Sequence, residues 1–132
     1  MKPNLLAQAI HFIDANIGET HPRRAWLNAG EGKMYVRFGR RIVNGSQRPT
    51  FTLATIELDE AVRHQGVFSA LMDGIVRACE ERAVPIIVES VISEYVERVI
   101  ERKGFVRQKN DQFSWELDVP SNIERVGRER KV

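Results

Sequence analysis

Apolar residues recur at helical spacing in three parts of the chain. In residues 4–17 they lie three and four positions apart, which predicts an amphipathic helix. A second apolar face runs from residue 66 toward residue 82 and is stopped by Pro85. A third begins after Ser93, whose hydroxyl can cap a helix, and is closed by Gly104. The hydrophobic pattern therefore predicts three helices.

Between these helices the pattern changes to one that is typical of strands. Residues 33–43 alternate apolar and polar side chains, which predicts a half-buried strand. The Asn-Gly pair at residues 44–45 tolerates the positive φ of a tight turn, so residues 51–58 are predicted to return as the antiparallel partner. The segment PIIVESV is apolar at its start, as a central strand would be, and QFSWELDV alternates as a last strand.

The predicted order of elements is helix, hairpin, helix, strand, helix and strand. Residues 18–32 have no clear period and are predicted to be a loop with room for a short strand at Trp26. This order is typical of an α/β (α+β) fold. Its first strands are expected to pair antiparallel, and the two strands joined by the middle helix are expected to run parallel. Residues 1–119 are expected to form one domain, and residues 120–132 a flexible C-terminal tail of mixed charge.

The composition is that of a soluble globular chain. Of 132 residues, 42% are hydrophobic and 29% charged, which excludes a fibrous or disordered class. Cys79 is the single cysteine and sits on an apolar helix face, so we expect core packing and no intrachain disulfide. A reducing cytoplasm is therefore the expected compartment. No stretch is long and apolar enough to be a signal peptide core or a membrane span, and no membrane association is expected.

The charge is nearly balanced but unevenly placed. The formal net charge is +2, and up to Ile56 there are eight Lys or Arg against three acids. Basic side chains on the hairpin and in the tail have the sign that nucleic acid requires; they are Arg37, Arg40, Arg41, Arg48, Arg125, Arg128, Arg130 and Lys131. Few aromatic residues interleave with them, and the tail also carries Glu124 and Glu129, so a nucleic-acid partner is not expected.

The stretch ELDEAVRHQGVFSAL, residues 57–71, places polar residues where a strand gives way to a helix. The first turn of a helix leaves backbone N–H groups without partners, and its partial positive charge favours an anion. Gly66 lets a phosphate approach the main chain, Arg63 adds a permanent charge, and Ser69 adds a hydroxyl. The junction suits a pyrophosphate, although an exposed loop that is polar only because it is solvated would have the same composition.

Residues 54–106 resemble the central part of the GNAT family of N-acetyltransferases. The family signature is Arg or Gln, any two residues, Gly, any residue, then Gly or Ala; Arg63 and Gly66 match it, and Phe68 stands at the last position. The segment VERVIERKGF resembles the second family block, in which a helix ends in a Gly-Phe pair, here Gly104 and Phe105. The two motifs occur in the expected order, which is more specific than either alone.

The resemblance implies a mixed, splayed sheet with helices on both faces, whose fourth and fifth strands part to admit the pantetheine arm of acetyl-coenzyme A. Leu58 and Glu60 would offer main-chain groups to that arm, and Ser93 a hydroxyl at a position where the family often has Asn. The residues implied around the pyrophosphate are Arg63, His64, Gln65, Gly66, Val67, Phe68 and Ser69. No metal is expected, since the three histidines show no metal-ligand spacing.

Acetyl transfer to an amine also requires a base and an acid. The resemblance favours Glu57 on the strand before the junction as the base, with Glu89 on the next strand as second choice; a solvated strand-end acid would fit Glu57 equally well. The usual acid of the family is a Tyr five residues before the Phe of the Gly-Phe pair, where this chain has Ile100. Tyr95 is the substitute candidate, although it is rotated away from that position.

The expected function is therefore acetyl transfer from acetyl-coenzyme A to an amine on a small molecule or a protein. The departures at Phe68 and Ile100 motivate an alternative, a catalytically degenerate protein of this fold that binds another protein. GNAT domains occur as monomers and as dimers, so a homodimer is one open expectation.

Overall fold

The computed structural model describes residues 3–63 and 65–120; residues 121–132, most of the expected tail, lie outside this range. In chain order the elements are α1 (Leu5–Asn16), β1 (Arg23–Ala29), β2 (Gly32–Val43), β3 (Ser46–Leu58), a 3₁₀ turn (Glu60–Val62), α2 (Val67–Glu81), β4 (Ile86–Val88), α3 (Glu94–Arg102), β5 (Val106–Gln108) and β6 (Asp111–Leu117). The strands form one sheet in the order β1-β2-β3-β4-β6-β5, with β3 and β4 parallel and the other neighbours antiparallel. The predicted mixed α/β sheet is confirmed.

The three predicted helices form, and each begins where a local signal indicates. The side-chain oxygen of Asn4 accepts a hydrogen bond from the N–H of Ala7 and caps α1. Ser93 caps α3 by accepting from the N–H of Val96 at 3.4 Å. Gly66 precedes α2 in the left-handed conformation, with φ 74°. No helix among the described residues has the length and apolarity needed to cross a membrane.

The predicted hairpin forms, and a strand that the sequence did not clearly indicate lies beside it. Asn44 and Gly45 have φ of 49° and 79°, the positive pair that a two-residue hairpin turn needs. The short strand for which the sequence leaves room at Trp26 forms: it is β1, and it pairs with β2 along seven residues. Leu27 is the only buried residue of β1, so the alternation of apolar and polar residues in this strand is weak. The segment is a strand because it pairs with β2.

The core lies between the sheet and the helices. The ring of Phe12 on α1 meets Phe51 on β3 edge-on at 6.4 Å, and α2 contacts both α1 and α3. Cys79 on α2 is fully buried, as its position predicts, and this burial raises the pKa of its thiol to about 12. The thiol therefore stays protonated at neutral pH. At the surface, the hydrogen-bonded guanidinium of Arg82 keeps the pKa of Asp14 below its usual value and ties α2 to α1.

The sheet splits between β3 and β4. These strands pair from Phe51 and Ile86 to Leu53 and Val88, and a last bond runs from the N–H of Glu89 to the carbonyl of Leu53 at 2.9 Å. Beyond that point β3 continues beside β2, whereas the chain after β4 turns toward β6. A bulge at Ala54, which has no partner on β2, coincides with the start of the split, and bulges bend the strand that carries them. The predicted splayed sheet is therefore present.

Candidate active site

The gap between the diverging strands is a cleft with two adjoining chambers. The inner chamber, of about 280 Å³, lies between residues 53–56 of β3 and residues 88–93 after β4. The outer chamber, of about 340 Å³, extends to the end of β3 and the start of α2. Both are lined by Ile56, Phe68, Ser93 and Val96, so the two chambers adjoin each other. A narrow and largely apolar slot of this kind suits an extended thiol-bearing arm.

The bulge also turns main-chain groups into this cleft. Asp59 donates its N–H to the carbonyl of Glu31 on the β2 side. Because alternate residues of a strand point their backbone groups to opposite sides, the N–H and carbonyl of Leu58 point toward the gap. Arg63 confirms this direction, since its Nε donates to the carbonyl of Leu58 at 2.9 Å. The N–H of Leu58 is thus directed at the space where a thioester carbonyl would have to lie.

The start of α2 borders the outer chamber and has the features of an anion site. The amides of Val67 and Ser69 donate to no group among residues 3–63 and 65–120, because the chain before them is not helical. Gly66 meets nothing within 4 Å at its Cβ position, so its positive φ, and not crowding, requires glycine there. Gln65 turns its side chain back to the carbonyl of Ala61, and His64 lies outside the described residues.

The aromatic ring at the third signature position does not fill the loop. Phe68 is 4% exposed and belongs to the hydrophobic core, where its ring lies 6.3 Å from that of Tyr95. It forms a wall of both chambers. The ring therefore packs into the core beside the cleft instead of projecting into the loop before α2.

Lys103 joins this region, and the sequence analysis missed it. Its Nζ donates to the hydroxyl of Ser69 at 3.0 Å and to the carboxylate of Asp73 at 2.7 Å, and its side chain is largely buried. The hydroxyl of Ser69 accepts from Lys103 and keeps its own hydrogen for a further acceptor. The available signal was its position directly before the Gly104–Phe105 pair, at the end of the helix that packs beside α2.

Glu57 lies where the cleft meets a second depression. It lines the outer chamber and also a polar hollow of about 340 Å³, which is formed with Asn28, Lys33, Leu58, Asp59, Glu60 and Arg63. Its carboxylate is more than half exposed and lies 3.4 Å from Nζ of Lys33, a pair too exposed to hold it firmly. Glu57 is thus accessible from both spaces.

Glu89, the second candidate base, is in a different environment. Its two carboxylate oxygens accept from the guanidinium groups of Arg37 and Arg41, the latter at 2.9 Å. Its side chain is mostly buried beside the inner chamber. With both oxygens held by permanent cations, this carboxylate is suited to fixing β2 against the chain after β4 and poorly suited to accepting a proton.

The two positions considered for the general acid, Tyr95 and Ile100, also differ in their surroundings. Tyr95 is 41% exposed and lines the outer chamber, so its phenol can reach a group in the cleft. Ile100 is fully buried in the core and lines neither chamber. The structure thus brings Tyr95 and Ser93 to the cleft with Glu57 and leaves the position of the usual family acid inside the core. No cluster of three or more potential metal ligands occurs within the described ranges.

The architecture has relatives among solved structures, whereas no family model and no curated protein matches the sequence. AtaT complexed with acetyl-methionyl-tRNAfMet superposes with a TM-score of 0.54 at 12% identity, covering 93% of this chain and 84% of that one. The KacTA–DNA complex gives 0.51 at 16%, covering 90% and 86%. A mutant AtaT toxin bound to the C-terminus of the antitoxin AtaR gives 0.53 at 14%, covering 65% of this chain and only 57% of that one. At these identities the similarity concerns the fold.

Proposed function

This chain has the fold of the GNAT acetyltransferases, and we propose that it transfers an acetyl group from acetyl-coenzyme A to an amine. The observation that carries the proposal is the split between β3 and β4, which opens a slot directly beside the start of α2, where the amides of Val67 and Ser69 have no acceptor among the described residues. A further AtaT structure, with a TM-score of 0.52, is bound to acetyl-coenzyme A. Fold and slot support the same chemistry.

The residues around the slot fit this cofactor. The amides of Val67 and Ser69, with the charge of Arg63, would hold the pyrophosphate, and the two apolar chambers would take the pantetheine arm. When bound, the cofactor supplies a thioester that is activated toward attack by an amine. The N–H of Leu58 is directed so that it can hold the carbonyl oxygen of that group.

The acceptor would enter from the polar hollow. Glu57, Asp59 and Glu60 attract a cationic amine there, and Glu57 accepts its proton directly or through a water, since an ammonium group is not a nucleophile. Tyr95 is the candidate donor for the departing thiolate. The acceptor class is an amine on a small molecule or protein; the AtaT complex with acetyl-methionyl-tRNAfMet adds amines carried on nucleic acid to the candidates.

The first experiment measures acetyl-coenzyme A binding by isothermal titration calorimetry and thermal shift. We expect a saturable complex, and we expect Arg63→Ala to weaken it by about tenfold because a charge-assisted contact is lost. Gly66→Glu should abolish it, since it adds a negative charge and a side chain at a positive φ. Arg77→Ala, an exposed arginine further along α2, is the matched control and should bind as the parent does. The proposal would be contradicted if millimolar acetyl-coenzyme A produced no heat of binding and no thermal stabilisation.

The burial of Ile100 favours one second candidate, a binding module that keeps the fold without the chemistry. In that case the cleft would be a structural feature and a protein partner would use another surface. A stoichiometric partner whose binding is unaffected by Arg63→Ala and Glu57→Gln, together with no binding of acetyl-coenzyme A, would favour this candidate over catalysis.

A further inference from the structure

Strand pairing places two aromatic side chains together on the exposed face of β1 and β2. Trp26 lies directly opposite Tyr35 in the register, and their rings are 5.1 Å apart at an angle of 69°. The Trp26 side chain is 51% exposed, and Tyr35 is partly exposed. Leu27 and Met34, the adjacent residue pair, point to the core instead. The aromatic pair, Trp26 and Tyr35, is therefore a surface feature and adds nothing to the core.

Cationic side chains flank the aromatic pair at both ends. Nζ of Lys33 lies 5.3 Å from the centre of the Trp26 ring, and the guanidinium carbon of Arg37 lies 6.0 Å from the centre of the Tyr35 ring. Arg24 is the register partner of Arg37 and is exposed on the same face. The rings thus lie among cationic side chains on two neighbouring strands, of which Lys33 pairs with Glu57 and Arg37 with Glu89.

Next to these side chains is a groove of about 460 Å³ whose lining is dominated by arginine. The arginine groove is lined by Arg23, Arg24, Arg37, Arg40 and Arg41. Glu89 pairs with Arg37 and Arg41. Within the described part of the chain, no carboxylate lies within ion-pair distance of the other three arginines. The groove therefore has a strong local excess of positive charge, although the whole chain has a net charge of only +2.

We propose that the aromatic pair and the arginine groove together bind single-stranded RNA. Exposed rings beside cations are the combination by which proteins hold unpaired bases and phosphates at once, whereas a duplex keeps its bases stacked inside. Thr55 is the register partner of Tyr35 on β3 and is exposed, so its hydroxyl is placed to meet a ribose 2′-hydroxyl. This surface adjoins the cleft, since Thr55 and Glu89, the ion-pair partner of Arg37, also line the inner chamber, but the proposed RNA binding does not require acetyl transfer.

The proposal departs from the sequence-based expectation that nucleic acid is not a partner. In the sequence, Trp26 and Tyr35 lie outside the arginine-rich run and nine positions apart, so the aromatic content of that run looks poor. Antiparallel pairing brings them together and into line with Arg24 and Arg37. An acidic peptide could also use the arginine groove, but it would not need an exposed and a partly exposed ring beside it.

The test is fluorescence anisotropy of a labelled single-stranded RNA of about 12 nucleotides, a length within the usual site sizes, with the full chain and no acetyl-coenzyme A. We expect Trp26→Ala and Tyr35→Ala each to weaken binding by about tenfold, since each removes a stacking face. Phe113→Ala is the matched control, because Phe113 is a similarly exposed aromatic on β6. Trp26→Phe keeps an aromatic face and should restore most of the affinity, which separates loss of stacking from loss of folding.

A second readout isolates the phosphate contacts. Arg24→Ala should reduce the slope of log affinity against log salt by about 1, while Arg77→Ala on α2 should leave it unchanged. Equal binding of duplex RNA or of DNA of the same sequence would overturn the assignment. It would also be overturned if an acidic peptide displaced the labelled RNA and the Trp26→Ala and Tyr35→Ala variants bound the RNA as the parent does. Acetyl-coenzyme A titrated into the same samples reports on the cleft independently.

Discussion

At the scale of single residues, Glu57 and Glu89 have the same chemistry but different surroundings. Both border the cleft, yet Glu89 is held by two arginines whereas Glu57 faces one exposed lysine at 3.4 Å. A carboxylate can serve as a base only when an oxygen is free to accept the proton. Glu57 meets this condition, and it alone of the two also opens onto the polar hollow.

Replacement of this carboxylate should separate binding from chemistry. Glu57→Gln keeps the size of the side chain and removes its ability to accept a proton. We expect kcat to fall by about 10²- to 10⁴-fold, with the affinity for acetyl-coenzyme A unchanged. The measurement is release of free thiol with an amine that supports turnover by the parent, alongside calorimetric titration of the cofactor.

Glu89→Gln is the comparison. This variant should lower the free energy of unfolding, because it leaves the guanidinium groups of Arg37 and Arg41 without the charged carboxylate that they share. If turnover per folded molecule were lost in Glu89→Gln and kept in Glu57→Gln, the assignment of the base would be wrong.

At the scale of elements, the end of the β2–β3 hairpin depends on one glycine. Gly32 has φ 147°, and a Cβ there would lie 2.2 Å from the carbonyl oxygen of Glu57 and 2.8 Å from Cα of Leu58. At Gly32 the two strands therefore approach closely, beside residues that line the cleft. Any side chain at this position would push the end of β3 outward.

Gly32→Ala should therefore destabilise the protein by about 3 kcal/mol, since backbone strain and a main-chain clash act together. Gly30→Ala is the control, because nothing lies within 4 Å of its Cβ position, and the change should stay within about 0.5 kcal/mol. Urea unfolding measures both. Equal urea midpoints for the two variants would show that the end of β3 can shift at little cost in stability.

At the scale of the whole molecule, Arg48 joins three separate parts of the chain. From β3 its guanidinium donates to the carboxylate of Asp118 at 3.0 Å, to the carbonyl of Val119, and to the carbonyl of Ala83 at 3.0 Å. Its side chain is mostly buried. These contacts connect the hairpin with the loop before β4 and with the segment after β6, so they hold together the unsplit end of the sheet.

Arg48→Gln should lower the free energy of unfolding by about 2 kcal/mol, because charge-assisted bonds are lost and buried carbonyls lose their donor. Arg40→Gln, a nearby exposed arginine without a carboxylate partner among the described residues, should change it by no more than about 0.5 kcal/mol. Chemical denaturation monitored by circular dichroism compares the two. Similar losses in both variants would indicate a general effect of charge.

The parts of the fold that could be predicted from the sequence are those set by neighbours in the chain. Asn44 and Gly45 select a tight hairpin turn because they accept positive φ, and Ser93 begins α3 because its hydroxyl reaches a free amide three residues on. The signature pair Arg63 and Gly66 likewise marked the junction that borders the cleft.

Only the tertiary structure decided the features that depend on residues distant in the sequence. Pairing with β2 made β1 a strand and assembled the aromatic pair, and Lys103 reached Ser69 through the contact of two helices. The different surroundings of Glu57 and Glu89 likewise depend on which cationic side chains pair with each of them. Local conformational preference acts over a few residues and can therefore be predicted from the sequence. Strand pairing and side-chain contacts form between distant residues only when the chain folds.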